Sequence, residues 1–280
     1  MNKVTDEQLT IAIAQTDIAW EDSAANLIKI KQYTRYAKEL NSEMVVFPEA
    51  MFSGFSMNIS EISVAPDAPE IQEVRQLAID YDIAIVTSFF IRVVNKCGRP
   101  SPLFYNRVFL FFPDGKMEWQ DKRHLFRPAG EAKQVKPADS RKIFTYKGFN
   151  ILLLACYDLR FPVWCRNRQN EYDILIDIAN WPTPRRNVWR TLLRSRAMEN
   201  LSYVVGVNRI GTDNNNLNYS GDSAIIDSRG QTIVEVAPKT ENIVSATLHK
   251  APLLHLRNKF PVWMDADPFI LDPSLPYPIL

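Results

Sequence analysis

The sequence predicts an α/β protein with helices enclosing a strand-rich interior, and three observations predict it. Strand-like and helix-like segments alternate from the first apolar run onward. Long β-rich runs, Ile83 to Val94 and Leu103 to Phe112, follow one another with no helix between them. No long linker, low-complexity block or fixed-period repeat interrupts the chain. A simple doubly wound sheet does not accommodate adjacent β-runs, whereas two packed sheets with helices on both outer faces do.

The elements follow in order. Thr10 to Gln15 reads as an apolar strand. Ser23 is the candidate cap of a helix in which Leu27, Ile30, Tyr33, Ala37 and Leu40 recur at helical spacing. Met44 to Phe47 is a buried strand running into Pro48 and Glu49. Pro69 begins a helix with Ile71, Val74, Ala78 and Tyr81 on one face. A loop with Cys97, Gly98 and Pro100 joins the two long β-runs, and Pro113-Asp114-Gly115-Lys116 marks a turn before the strand Met117 to Gln120. Ile143 to Tyr146 and Asn150 to Tyr157 are strands across a Lys147-Gly148 turn. Arg166 to Glu171 is helical or looped, Asp173 to Ala179 a strand, and Val188 to Leu201 a helix. Tyr203 to Asn208, Ser223 to Asp227, Thr232 to Val236 and Ile243 to Leu248 are strands, with Asp227-Ser228-Arg229-Gly230 as a hairpin signal. Five prolines between Pro261 and Leu280 predict an extended tail.

The chain has 280 residues, enough for one large α/β domain or two small ones. A composition 46% hydrophobic and 23% charged argues against disorder. The net charge of +1 gives no basis for a dedicated electrostatic partner, nucleic acid or anionic membrane. Apolar stretches such as Ile151 to Cys156 are too short to span a bilayer. The polar start, Met1 to Thr10, lacks the pattern of a secretory signal. Three cysteines cannot pair completely and form no CxxC, which predicts free thiols in a reducing cytoplasm. His124, His249 and His255 show no ligand spacing with those cysteines, so no metal site is expected.

Three residues at strand ends offer chemistry. Cys156 closes the run Ile151-Leu152-Leu153-Leu154-Ala155 and precedes a sharp change in polarity. A thiolate delivered there is a strong nucleophile if a base or positive field forms it; the plainer alternative is a small core residue. Glu49 stands at the mouth of an apolar strand, where partial desolvation would raise its pKa and make it a better proton acceptor; alone it reads as an exposed loop carboxylate. Lys122 follows a strand and can stabilise an oxyanion or lower a thiol pKa in a low-dielectric pocket; alone it also reads as a surface lysine. His124 is an alternative partner for the cysteine, although the papain-type signature is missing around Cys156.

Taken together, Phe47-Pro48-Glu49, Asp121-Lys122-Arg123-His124-Leu125-Phe126 and Cys156-Tyr157-Asp158-Leu159-Arg160-Phe161 resemble the motifs of the carbon–nitrogen hydrolase, or nitrilase, superfamily, in its chain order of Glu, Lys and Cys. Further segments, Pro162-Val163-Trp164, Asn180-Trp181-Pro182, Arg196-Ala197-Met198-Glu199-Asn200 and Lys259-Phe260-Pro261-Val262-Trp263-Met264-Asp265-Ala266-Asp267, resemble the YafV-like omega-amidases. The resemblance implies a four-layer αββα sandwich, one domain over residues 1–280 with an extended tail from about residue 261, and a homodimer or higher homo-oligomer. It implies neither metal nor organic cofactor. It also implies a catalytic set of Glu49, Lys122 and Cys156, with Glu131 as the second glutamate and the backbone N–H of Tyr157 as an oxyanion donor. Pro128 and Gly130 depart from the usual form of the loop around Glu131.

The implied reaction is hydrolysis of the terminal amide of a small ω-amido 2-oxo dicarboxylate, such as 2-oxoglutaramate, through a cysteine thioester with release of ammonia. A distal carboxylate calls for an arginine fork, and Arg160, Arg185 and Arg186 are the candidates. Trp181, Phe52 and Phe55 are the candidate pocket walls. Two other readings stand beside this one: a carbon–nitrogen hydrolase acting on N-carbamoyl compounds, nitriles or other amides, and a non-catalytic binding protein on the same fold. A Rossmann dinucleotide enzyme lacks its glycine fingerprint here.

Overall fold

The apolar runs pair into two sheets, and the amphipathic segments between them become helices that cover the outer faces. The computed structural model describes residues 7–94 and 100–270. In chain order the first half comprises β1 (Gln8–Gln15), α1 (Ser23–Glu39), β2 (Met44–Val46), α2 (Ile59–Ile62), α3 (Pro69–Asp80), β3 (Ala84–Val94), β4 (Pro100–Phe111) and β5 (Met117–Asp121). The second half comprises β6 (Ile143–Tyr146), β7 (Phe149–Ala155), α4 (Pro162–Cys165), β8 (Ile174–Ala179), α5 (Arg186–Asn200), β9 (Tyr203–Asn208), β10 (Ile210–Thr212), β11 (Asn218–Ser220), β12 (Ala224–Ile226), β13 (Thr232–Glu235), β14 (Asn242–His249) and α6 (Lys250–Lys259).

One six-stranded sheet has the order β14-β1-β2-β3-β4-β5 and the other β13-β12-β9-β8-β7-β6. Each is parallel at its centre, β1-β2-β3 and β7-β8-β9, and antiparallel toward both edges. The inner faces form one core, where Ile11, Ile13, Val46, Val86 and Leu110 share a cluster with Ile151, Leu153, Ile176 and Val205. On one outer face Ala12, Val45 and Ile85 pack under Ile30 and Ala37 of α1 and Ile71 and Val74 of α3. On the other, Leu152, Leu154 and Val204 pack under Trp189, Leu193 and Ala197 of α5. The result is the four-layer αββα sandwich expected. Gly206 of β9 sets how closely α5 approaches: a Cβ there would lie 2.5 Å from a Leu193 methyl. No helix of the described residues is long and apolar enough to cross a membrane.

Local details differ from expectation. Asp22, not Ser23, caps α1, because its carboxylate accepts the Ala25 N–H at 2.9 Å. The strand ahead of the cysteine ends at Ala155, and Cys156–Arg160 form a 3-10 turn. The tail is not extended from its start: Val262–Asp265 make another 3-10 turn, with Met264 N–H bonded to Pro261 carbonyl at 2.9 Å. A proline ahead of the turn does not oppose it, since it has no N–H to contribute inside. Strands β10 and β11 are three residues each, too short to leave a periodic signal. Cys97 and the last ten residues of the tail lie outside the described residues.

Candidate active site

Four strands deliver polar side chains to one end of the sandwich. Pro48 cannot donate to the ladder, so β2 stops and Glu49 follows in a turn where Ala50 takes a left-handed φ of 50°. The Glu49 carboxylate is fully buried. Lys122 follows β5 directly; its N–H bonds Asn106 carbonyl at 2.9 Å, and its carbonyl accepts Ala138 N–H at 3.0 Å. Glu131 opens a short turn after Gly130, whose φ of 86° ends the preceding turn and starts the next. The departure of this loop from the usual pattern thus still presents the carboxylate inward, with Phe126 N–H donating to Glu131 Oε2 at 2.6 Å.

These side chains meet. Lys122 Nζ lies 2.9 Å from Glu49 Oε1 and 3.1 Å from Glu131 Oε2, with all three side chains at 0% exposure. Lys122 Nζ also sits 4.9 Å from the centre of the Phe55 ring. Cys156 immediately follows β7 with φ 51°, a left-handed conformation that a residue with a Cβ adopts at a cost of about 1–3 kcal/mol. Its N–H is accepted by Asp177 Oδ1 at 2.8 Å, and its Sγ lies 3.8 Å from Asn180 carbonyl oxygen. Asn180 in turn donates its backbone N–H to Glu49 Oε2 at 3.0 Å. One residue therefore links the sulfur and the carboxylate.

Burial opposes the Lys122 ammonium, but Glu131 and Glu49 outweigh it and hold its pKa well above the lysine range. Burial raises Glu131, with Lys122 opposing and Glu49 adding to the rise. Burial, reinforced by Glu49, pushes the Cys156 thiol well up, against the pull of Lys122. This direction favours the protonated thiol at rest, for which a base close by is an asset.

Glu49, Lys122 and Cys156 line one cavity of about 630 Å³, walled by Trp20, Phe55, Phe126, Trp181 and Leu217 among others. Arg160 and Arg185 also line it. The Arg160 guanidinium lies 4.8 Å from the centre of the Trp181 ring, and that of Arg185 5.4 Å from the centre of Phe126. Trp181 is 3% exposed, its indole N–H fixed on Arg185 carbonyl at 2.8 Å. Tyr157 is the second residue of the turn that begins at Cys156, where N–H groups have no acceptor within the turn itself. The Tyr157 ring packs edge-on against Phe126 and Phe161.

Three expectations are corrected. Phe52 is not a pocket wall; it is buried in the core with its ring 4.2 Å from Phe89, because the turn after Glu49 points it under α1 while Phe55 faces the cavity. Arg186 is held by both oxygens of Asp222 and does not line the cavity. His124 is not a partner of the thiol: its imidazole stacks on Phe161 at 3.7 Å and its Nδ1 lies 2.8 Å from Asp158 Oδ1.

Residues 10–253 match the family model described as Carbon-nitrogen hydrolase. The chain belongs to the carbon–nitrogen hydrolase family. This carbon–nitrogen hydrolase is 38% identical over 264 residues to the omega-amidase YafV of Escherichia coli K12, covering 94% of this chain and 98% of that one. It is 26% identical over 260 residues to the 2-oxoglutaramate amidase of Bacillus subtilis, covering 91% and 96%. Among solved structures it resembles a CN-hydrolase superfamily protein from Xanthomonas campestris with an arsenic adduct in its active site, at a TM-score of 0.85 and 37% identity, covering 94% of this chain and 99% of that one.

Sequence reasoning missed four side chains of the hydrolase that surround the reactive groups: Asn106, Asp158, Asp177 and Asn180. Asp158 accepts the His124 N–H at 2.8 Å and the Ala155 N–H at 3.3 Å, tying the lysine loop to the cysteine turn. A signal for Asp177 exists in Ile174-Leu175-Ile176-Asp177-Ile178-Ala179, since a carboxylate inside a continuous apolar strand must be buried with a purpose. Asn106, a lone amide in the long run of β4, gives the same signal.

Proposed function

We propose that this enzyme hydrolyses the terminal amide of small ω-amido 2-oxo dicarboxylates such as 2-oxoglutaramate, by way of a thioester on Cys156, releasing ammonia. The observation that carries the reading is that a thiol, a buried carboxylate–ammonium pair and two guanidiniums line the same cavity. Similarity to an omega-amidase and a 2-oxoglutaramate amidase supports the substrate class. Neither Arg160 nor Arg185 makes an ion pair among the described residues, so both are available to a distal carboxylate, as Arg186 is not.

Glu49 takes the proton of Cys156, and the thiolate adds to the amide carbonyl carbon. The carbonyl electron pair moves to oxygen, where Lys122 and the Tyr157 N–H stabilise it; one preorganised donor of this kind is worth ~10²–10³-fold in rate. Glu49 returns its proton to the nitrogen, the C–N bond breaks, and ammonia leaves with the thioester in place. Glu49 then takes a proton from water, hydroxide adds to the thioester, and the C–S bond breaks as Glu49 returns that proton to sulfur, giving the Cys156 thiol and the dicarboxylic acid, whose proton the released ammonia takes up. Glu131 has a different part. Its oxygens are occupied by Lys122, Asn106 and Phe126 N–H, so it holds the ammonium and takes no proton. A reducing compartment keeps the thiol competent.

Ammonia release measured with 2-oxoglutaramate, N-carbamoyl amino acids and simple nitriles tests the substrate. Intact-mass detection of an acylated Cys156 during turnover tests the mechanism. Preference for a nitrile or carbamoyl compound would overturn the substrate reading, and full activity in Cys156→Ala would overturn the thioester.

A further inference from the structure

Two donors, one charged and one neutral, bridge the same pair of carboxylate oxygens. Lys122 Nζ lies 2.9 Å from Glu49 Oε1 and 3.2 Å from Glu131 Oε1. The side-chain Nδ2 of Asn106 lies 2.8 Å and 3.1 Å from those two atoms. Asn106 is fully buried on β4, and its own Oδ1 is buried without a hydrogen-bond partner among the described residues. An amide that gives both hydrogens to two carboxylates and leaves its carbonyl unpaired is costly to bury for packing alone. The flipped orientation would press a carbonyl oxygen against both carboxylates.

We infer that Asn106 is a positioning residue for proton transfer, filling Oε1 of Glu49 so that the Cys156 proton is delivered to Oε2. This rests on the reading of Glu49 as the base. Each carboxylate oxygen offers two lone pairs. At Oε1 both are taken, by Lys122 and Asn106. Among the described residues Oε2 accepts only the Asn180 N–H, at 3.0 Å, which leaves one acceptor position there. The carbonyl of the same Asn180 holds the sulfur, at 3.8 Å. In the transfer the S–H bond breaks, an O–H bond forms at Oε2, and the electron pair stays on sulfur. A second cation in place of Asn106 would also fill Oε1, but its charge would weaken Glu49 as a base. A neutral amide directs the proton without that penalty.

The test uses the full-length enzyme with Asn106→Leu, which keeps the volume and removes both hydrogens, and Asn106→Ser, which keeps one. Two readouts are taken: the rate of iodoacetamide alkylation of Cys156, located by peptide mass, and kcat and KM for ammonia release from 2-oxoglutaramate. For Asn106→Leu, alkylation slows ~10-fold or more, and kcat falls ~10²-fold with KM within about threefold of wild type. Asn106→Ser falls between the two, and it decides the matter if the leucine variant does not fold. A folded variant with alkylation and kcat within about twofold of wild type overturns the inference, as does a loss confined to KM. Unchanged alkylation in Glu49→Gln also overturns it, by removing the base. If wild type releases no ammonia from 2-oxoglutaramate, the substrate reading fails, while alkylation, which needs no substrate, still decides the role of Asn106.

Discussion

Asp177 accepts the backbone N–H of Cys156 at 2.8 Å, and this bond holds the cysteine at its left-handed φ. The contact joins two neighbouring parallel strands just where β7 ends, so the turn that carries the thiol is braced from β8.

Burial, reinforced by Asp158, raises Asp177 well above the carboxylate range and so favours its neutral form. Its other oxygen, Oδ2, is buried without a partner among the described residues. The neutral form is matched by an amide. Asp177→Asn should therefore retain kcat within about threefold, while Asp177→Ala, which frees the turn, should lose ~10–100-fold. Steady-state kinetics of the two variants check this, and equal losses in both would mean that the charge is required.

Lys122 is the sole ammonium between two fully buried glutamates among the described residues. Lys122→Met leaves both carboxylates uncompensated. It should abolish turnover and cost about 3–5 kcal/mol of stability, read from urea denaturation. Because the folded pKa of Lys122 is raised, this contribution is complete below the unfolded lysine value and is lost only as pH climbs through the folded one.

The raised thiol pKa of Cys156 predicts a stability slope. Unfolded cysteine ionises near pH ~8.5. Above that the unfolded chain holds fewer protons than the folded one, so rising pH favours unfolding. Above pH ~8.5 wild type should lose stability relative to Cys156→Ala, with a slope that steepens toward about 1.4 kcal/mol per pH unit by pH ~10. Thermal unfolding of the pair across that window is the measurement; parallel curves would show that the folded thiol ionises normally.

Arg160 and Arg185 face the cavity from opposite aromatic supports, Trp181 and Phe126. Arg160→Ala or Arg185→Ala should raise KM for a carboxylate-bearing amide ~10–100-fold, the worth of about 1.5–3 kcal/mol for a charged hydrogen bond. A neutral short amide should be affected far less. The ratio of the two kcat/KM values separates an anchor from a scaffold residue.

Phe52 and Phe55, three positions apart, should behave oppositely. Phe52→Ala removes a core ring and should cost about 3–5 kcal/mol of stability. Phe55→Ala opens the cavity beside Lys122 and should alter substrate selectivity. Denaturation midpoints and a substrate panel measured on both variants separate the roles.

What the sequence made legible follows physical range. The strand that ends at Ala155 and the helix from Pro69 announce themselves by local periodicity, and the two adjacent β-runs already demanded more than one sheet. Glu49 and Cys156 stood out because each breaks an apolar segment at its end, whereas Lys122, after the mixed strand Met117–Asp121, gained meaning only beside them. Glu49 and Lys122 are 73 residues apart in the chain, and periodicity carries no information about such pairings. Asn106 and Asn180 escaped for a related reason. Their significance lies in which carboxylate each amide touches, and an asparagine in a strand or after one looks the same whether it faces a glutamate or water. Phe52 was misplaced because a turn reverses which side of the chain looks inward, and aromatic residues suit both sides.

Glu49 and Lys122 project from one sheet, Cys156 and Asn180 from the other. On the proposed mechanism, neither half of the chain alone is an enzyme. A ribosome-bound fragment ending near Glu131 carries base and cation with no nucleophile to activate, and an isolated second half carries a cysteine with nothing to ionise it. Regain of turnover after dilution from denaturant therefore times the docking of the two β-layers, and it should trail the return of far-ultraviolet circular dichroism.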